Sequence, residues 1–353
     1  MKKAFRFIGV VLFNIALTAI LMELSLRVSQ GFFYEGPDWI QPDEILGTTG
    51  RANFTQTIGI GKYRLTVTHN ALGLRGPEVR QDRPKLRIML IGDSFTHGEG
   101  VSDGGTISQQ MQQMLVAQGI DAEVLNLGLG GYSTAQAYYR LRSLIHLRPD
   151  LIIYTFCDND PADNAEFVIG KKHPPKPEQH RAWWRVMLRR YSLTFMTAVL
   201  KRAFISHYPS DHPTHLFTAN QQPKIPEFPE LETELTHKFV DSMAILAKEY
   251  QAQFMIGFIN VGLTKENAVI LSPIAEHYAA MFQEMGIQLI PAPQTLANYS
   301  NNLSVLRGEV SYEGHFNAVG YRLWADVYTN AALKWWNSRK AKLETDITAN
   351  LQK

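Results

Sequence analysis

Ser94, His315, Gly131 and Asn159 are residue types that together can transfer an acyl group. A serine hydroxyl is a weak nucleophile at neutral pH and needs a neighbouring base to take its proton as it attacks. His315 is the candidate base. A carboxylate beside it would fix its tautomer and stabilise the imidazolium. The oxyanion that develops on the attacked carbonyl also needs donors, and one donor can be worth about 3 kcal/mol. The N–H groups of Ser94 and Gly131 and the side-chain amide of Asn159 are the candidates, and a glycine lets the backbone come close to a substrate.

These residues lie where elements end. Ile88-Met89-Leu90-Ile91 reads as a strand that stops at Gly92-Asp93-Ser94. Val124–Leu127 reads as a second strand, followed by Gly128-Leu129-Gly130-Gly131, and Leu151–Phe156 as a third, followed by Cys157-Asp158-Asn159-Asp160. Phe254–Phe258 gives a fourth and Ile287–Ile290 a weaker fifth. Helical patterns fall near 106–118, 134–147, 230–250, 273–285 and 317–336. Alternating strands and helices at this spacing predict a parallel sheet covered on both faces, and continuous apolar strands fit such burial. Open parallel sheets bind ligands outside the carboxyl ends of their strands, where the four residues fall. The expectation is an α/β three-layer sandwich with a flavodoxin-like sheet.

Four blocks carry a resemblance to a known family. Gly92-Asp93-Ser94-Phe95-Thr96, Asn126–Gly131, Asn159-Asp160 and Glu313-Gly314-His315-Phe316-Asn317 resemble, in order and spacing, the blocks of SGNH (GDSL-type) hydrolases. The likeness covers roughly residues 60 to 336 apart from an insertion at 160–229. His69-Asn70-Ala71-Leu72-Gly73-Leu74-Arg75-Gly76 is similar to membrane-tethered bacterial members. The resemblance implies a serine esterase in which Ser94 is the nucleophile, His315 the base, and Gly131 and Asn159 oxyanion donors. Two positions depart from the family's pattern. Tyr312 stands where the family has an acid three residues before the histidine, so Glu313 becomes the candidate acid. Cys157 stands where the family has a glycine two residues before the asparagine, and its thiol is expected to be an inert buried side chain.

Other motifs point elsewhere and fail on context. Gly100-Val101-Ser102-Asp103-Gly104 has the form of a nucleophile elbow, but no strand precedes it, so Ser102 is expected in a loop or at a helix start. Gly128-Leu129-Gly130-Gly131 lacks the third glycine of a dinucleotide loop at Ser133, and no cofactor is expected. His207, His212 and His215 lie in a Pro-rich stretch without cysteine partners and are expected to form an ordinary loop rather than a metal site. His97 is expected either to touch substrate or to face solvent.

The chain of 353 residues has a formal net charge of +2, which gives no basic excess for nucleic acid. Its one cysteine rules out an intrachain disulfide. Lys2, Lys3 and Arg6 precede an apolar run from Phe7 to Met22. Extended to Leu26, that run spans about 30 Å of helix, roughly one hydrocarbon core. The cations favour a cytoplasmic N-terminus, with the remainder outside the membrane. A cleaved signal peptide is the rival, because Ala16-Leu17-Thr18-Ala19 loosely resembles a cleavage site. The organisation expected is an anchor at 1–28, a linker or small preamble at 29–85, a hydrolase domain at 86–340 and a C-terminal tail at 341–353. The insertion holds a helix-like stretch, Arg181 to Ile205, with an arginine face that would pack on the core or meet anionic lipid or glycan.

Acyl transfer from an outward-facing, membrane-tethered bacterial domain makes cell-envelope glycan esters the first expected substrate and lipid esters the next. An O-acyltransferase uses the same residues, and a non-catalytic glycan-binding module would keep the same fold.

Overall fold

The computed structural model describes residues 2–30, 39–60, 63–172, 230–263, 268–296 and 315–351. The chain divides into two compact units, the larger comprising Trp39–Thr55, Val67–His173 and Pro213–Lys353. Helix α1 (Lys2–Gln30) belongs to the smaller unit. Its segment Phe5–Ser25 is long and apolar enough to cross a membrane, and a signal sequence has the same character.

Two short hairpins follow. Strands β1 (Ile40–Asp43) and β2 (Gly47–Gly50) pair antiparallel, as do β3 (Phe54–Ile60) and β4 (Tyr63–His69). The core then alternates: β5 (Leu86–Gly92), α2 (Ser94–His97), α3 (Ile107–Ala117), β6 (Ala122–Asn126), α4 (Thr134–Leu144), β7 (Leu151–Phe156) and α5 (Asp160–Lys172). Beyond the insertion come α6 (Glu230–Glu249), β8 (Gln253–Phe258), β9 (Val261–Leu263), β10 (Val269–Leu271), α7 (Pro273–Glu284), β11 (Gln288–Leu289), α8 (Ala292–Leu296) and α9 (Ala318–Leu351).

The central sheet is parallel and ordered β11-β8-β7-β5-β6. Every residue of β5 is buried, as a strand covered on both faces must be. Alternate side chains feed two cores. Leu86, Ile88, Leu90, Val124, Leu151 and Ile153 pack with α3 and α9. Met89, Ile91, Leu125, Ile152, Tyr154 and Phe156 pack with α4, α6 and α7 on the other face. This is the three-layer sandwich that the strand pattern predicts. From β5 the chain moves to β6 on one side and to β7 on the other. The carboxyl end of β5 is therefore the switch point where such sheets open a crevice.

The stretch 29–85, expected as a linker or small preamble, lies in the larger unit over 39–55 and 67–85. Gln136 Nε2 donates to the Leu46 carbonyl at 2.7 Å and Tyr132 Oη to the Thr48 carbonyl at 2.9 Å, which fixes the β1–β2 hairpin on the start of α4. Trp39, Leu46 and Leu74 are buried as well, single apolar residues set among polar ones rather than a periodic run. The tail at 341–353 is helix as far as Leu351, since no glycine or proline follows Gly320 to stop α9. The arginine-bearing stretch from Arg181 to Ile205 and the histidines 207, 212 and 215 lie outside the described residues.

Candidate active site

The turn after β5 places Ser94 by capping. Asp93 is the N-cap of α2, and its carboxylate accepts the Phe95 N–H at 2.9 Å. That carboxyl is fully buried, and loss of hydration pushes its pKa up to about 6 against the opposing pull of the Phe95 N–H and His315. Asn126, at the end of β6, ties the second block to the same turn. Its Nδ2 donates to the Thr96 carbonyl at 2.8 Å and its Oδ1 accepts the Gly128 N–H at 3.1 Å. Gly128 presses so closely on this turn that a Cβ there would lie 2.6 Å from the His97 amide nitrogen.

His315 arrives from the other end of the chain. Asn317, two residues after the histidine, accepts the N–H groups of Val319 and Gly320 on its Oδ1 at 3.0 and 2.9 Å, which starts α9 at Ala318. Phe316 is buried between Phe95, Tyr321 and Trp324 and plugs this entry into the core. The His315 ring packs on Phe95 with centroids 4.7 Å apart, and its Nε2 lies 2.7 Å from Ser94 Oγ. A serine hydroxyl and an imidazole separated by 221 residues therefore meet at hydrogen-bonding distance. Glu313 falls outside the described residues.

Gly131 has φ +77°, a left-handed conformation in which a side chain would be strained, and it is exposed. Neither its N–H nor that of Ser94 is taken up by a backbone carbonyl among the described residues. Asn159 is also exposed, and its Nδ2 donates to Asp163 Oδ2 at 2.6 Å. An amide nitrogen carries two hydrogens, so one donor remains. Asp160 holds the turn that presents Asn159. Its Oδ2 accepts the Cys157 N–H at 2.8 Å and the Tyr154 hydroxyl at 2.7 Å. Burial, then the neighbouring Asp93, pushes the Asp160 carboxyl well above the ordinary range. Cys157 is buried and unbridged, and burial raises its thiol pKa, as suits an inert side chain.

His97 neither faces solvent nor stands free to touch substrate. It is fully buried, stacked on Trp39 with centroids 6.0 Å apart, and its Nε2 lies 3.1 Å from His69 Nε2. Ser102 is the N-cap of a short 3₁₀ turn over Asp103–Gly105, as its lack of a preceding strand implies. Arg75 lies in the block His69–Gly76, to which the sequence assigned no role. Its guanidinium is buried and donates to the carbonyls of His97, Gly98 and Val101 at 3.0, 2.6 and 2.6 Å, and to Asp103 at 3.1 Å. The stretch His69–Gly76 is therefore a brace under the nucleophile turn. Its sequence signal was the resemblance of this block to membrane-tethered members, which names no partners for the arginine.

A parallel sheet with Ser94 at its switch point and an imidazole in contact defines a serine hydrolase type of site. The GDSL-like lipase/acylhydrolase family matches residues 90–323, about two thirds of the chain, and the chain belongs to it. It is an ester hydrolase of that family. Among solved structures it is similar to a lipolytic protein of the G-D-S-L family from Desulfitobacterium hafniense DCB-2. That likeness has 13% identity over 70% of this chain and 99% of that one, with a TM-score of 0.39. It is also similar to the psychrotrophic esterase EstA from Pseudoalteromonas sp., at 9% identity over 71% and 98%, TM-score 0.40. A lipase/acylhydrolase from Enterococcus faecalis matches at 14% over 70% and 94%, TM-score 0.36. No protein of curated function matches the sequence.

Proposed function

We propose that Ser94 hydrolyses carboxylic esters through an acyl-enzyme, and that the esters are acyl groups on cell-envelope glycans. The 2.7 Å contact between Ser94 Oγ and His315 Nε2 carries this reading. His315 takes the hydroxyl proton as Ser94 Oγ bonds to the ester carbon. The oxyanion meets the N–H groups of Ser94 and Gly131 and the remaining amide hydrogen of Asn159. The imidazolium then returns the proton to the departing alcohol oxygen as the ester C–O bond breaks. Water, deprotonated by the same imidazole, resolves the acyl-enzyme and restores Ser94. Glu313 holds His315 in the required tautomer.

The glycan context follows from location. Lys2, Lys3 and Arg6 stand before the span Phe5–Ser25 or at its start, which favours an inside N-terminus and a catalytic unit on the periplasmic face of a bacterial inner membrane.

The test is detergent-solubilised full-length protein on p-nitrophenyl acetate and longer acyl esters, beside Ser94→Ala and His315→Ala. Both variants should lose about a thousandfold or more in kcat while keeping their circular dichroism. Equal turnover by Ser94→Ala and native protein would remove the assignment. Acyl transfer to added glycan in excess of hydrolysis would redirect the reading to an O-acyltransferase.

A further inference from the structure

An acidic side chain outside the four blocks lies close to Ser94. Glu99 is clamped by its backbone. Its N–H donates to the Ser94 carbonyl at 3.0 Å, and its own carbonyl accepts the Tyr321 hydroxyl at 2.9 Å. Its carboxylate and the nucleophile flank the same glycine. A Cβ on Gly130 would sit 2.9 Å from Glu99 Oε1 and 3.9 Å from Ser94 Cβ. Glycine at 130 therefore leaves room for the carboxylate on the same side as Ser94.

The side chain is held on one side and partly exposed. His97 Nδ1 lies 3.5 Å from Oε1, and His97 is itself fixed by His69 and Trp39. The Glu99 side chain keeps 14% of its surface exposed. Burial would raise its pKa, but His97, His315 and Arg75 outweigh it and hold the carboxyl below the ordinary range. An ionised carboxylate presents acceptors only. A substrate group facing it must donate a hydrogen bond, and an anion there is repelled.

We propose that Glu99 is a specificity-determining residue that accepts a hydrogen bond from a hydroxyl flanking the scissile ester, selecting polyol esters and rejecting anionic ones. The proposal rests on Ser94 as nucleophile and names the substrate class of that site. A sugar or other polyol places a hydroxyl beside each acylated oxygen, a further donor that the ionised carboxylate can accept. His97 and His69 act through Glu99 as positioning residues.

The test uses three aryl acetates with full-length protein: phenyl acetate, catechol monoacetate with an ortho hydroxyl, and acetylsalicylate with an ortho carboxylate. The readout is each substituted ester's kcat/KM divided by that for phenyl acetate, which cancels a general change in activity. In Glu99→Gln the hydroxyl ratio should fall about tenfold and the carboxylate ratio rise about tenfold, as expected for losing one charged acceptor. Glu99→Asp, which keeps the charge, should recover part of both ratios. Ratios within twofold of native in Glu99→Gln, or an equal change for all three esters, would overturn the proposal. Native protein inert on all three, with Ser94 also unlabelled by a fluorophosphonate, would instead overturn the catalytic reading and the proposal with it.

Discussion

The Nε2 atoms of His69 and His97 lie 3.1 Å apart with both rings buried, so a single proton occupies the space between them. Burial, then the neighbouring His97 and Arg75, pushes the His69 pKa down to about 3. Burial lowers that of His97 as well. Both imidazoles are neutral in the folded protein at neutral pH. The unfolded chain takes up protons at each as pH falls through 6.5, whereas the folded chain resists, so stability contributed by the pair is present above pH 6.5 and lost below it. Thermal unfolding followed from pH 8 to pH 4 should show a falling midpoint below about 6.5. His69→Gln, which cannot protonate, should flatten that fall; an unchanged slope would count against the buried neutral pair.

Arg75 is expected to be the costliest single brace to remove. Arg75→Met leaves the carbonyls of His97, Gly98 and Val101 and the Asp103 carboxylate without their donor. A buried acceptor left without its donor costs about 1–3 kcal/mol, whereas Asp103, 26% exposed, can turn to water. Arg75→Lys should rescue little, because an ammonium lacks the planar fork that reaches several acceptors at once. Urea midpoints for the two variants check this, and a loss under about 1 kcal/mol would show that water replaces the guanidinium.

Strands β5 to β8 and helices α3, α4, α6 and α7 were legible because their apolar residues recur at strand or helix spacing, and burial on two faces makes the strand runs mostly apolar, with the buried Arg87 and Glu123 at the strand starts pairing with each other. The Ser94–His315 meeting was legible only through the four blocks together, since no local pattern joins residues so far apart. Glu99, His69 and His97 were not. His69 ends β4, His97 ends α2 and Glu99 follows in a Gly-rich turn, positions where a polar residue is expected to meet solvent, and only the fold shows that Arg75 and Trp39 pack against them. The C-terminal helix was placed short because its amphipathic pattern fades after Trp336 while its helix-forming composition continues.

Gly128 sets the distance between the second block and the nucleophile turn. In Gly128→Ala the new Cβ would stand 2.6 Å from the His97 amide nitrogen and 2.6 Å from Thr96 Cβ, so the backbone carrying Ser94 must shift. Overpacking costs about 1–3 kcal/mol. A small displacement of a catalytic group can cost about 100-fold in rate. Activity should therefore fall well beyond what the lowered melting temperature explains, measured at a temperature where the variant is fully folded. A loss of stability with kcat unchanged would show that the turn relaxes without moving Ser94.

Glu313 is the assignment most exposed to test, because it stands two residues before His315 where the family's acid stands three before. Asp93 cannot replace it readily, since its Oδ1 is engaged by the Phe95 N–H and burial favours its neutral form. Removing the charge of an orienting carboxylate while keeping its shape costs up to about 10⁴ in kcat where the acid fixes the tautomer. Glu313→Gln should lower kcat by about 100-fold or more with KM little changed, measured on p-nitrophenyl acetate across pH 6 to 9. A change under twofold would mean that another group, such as a backbone carbonyl, holds the imidazole, and that Ser94 and His315 work as a dyad.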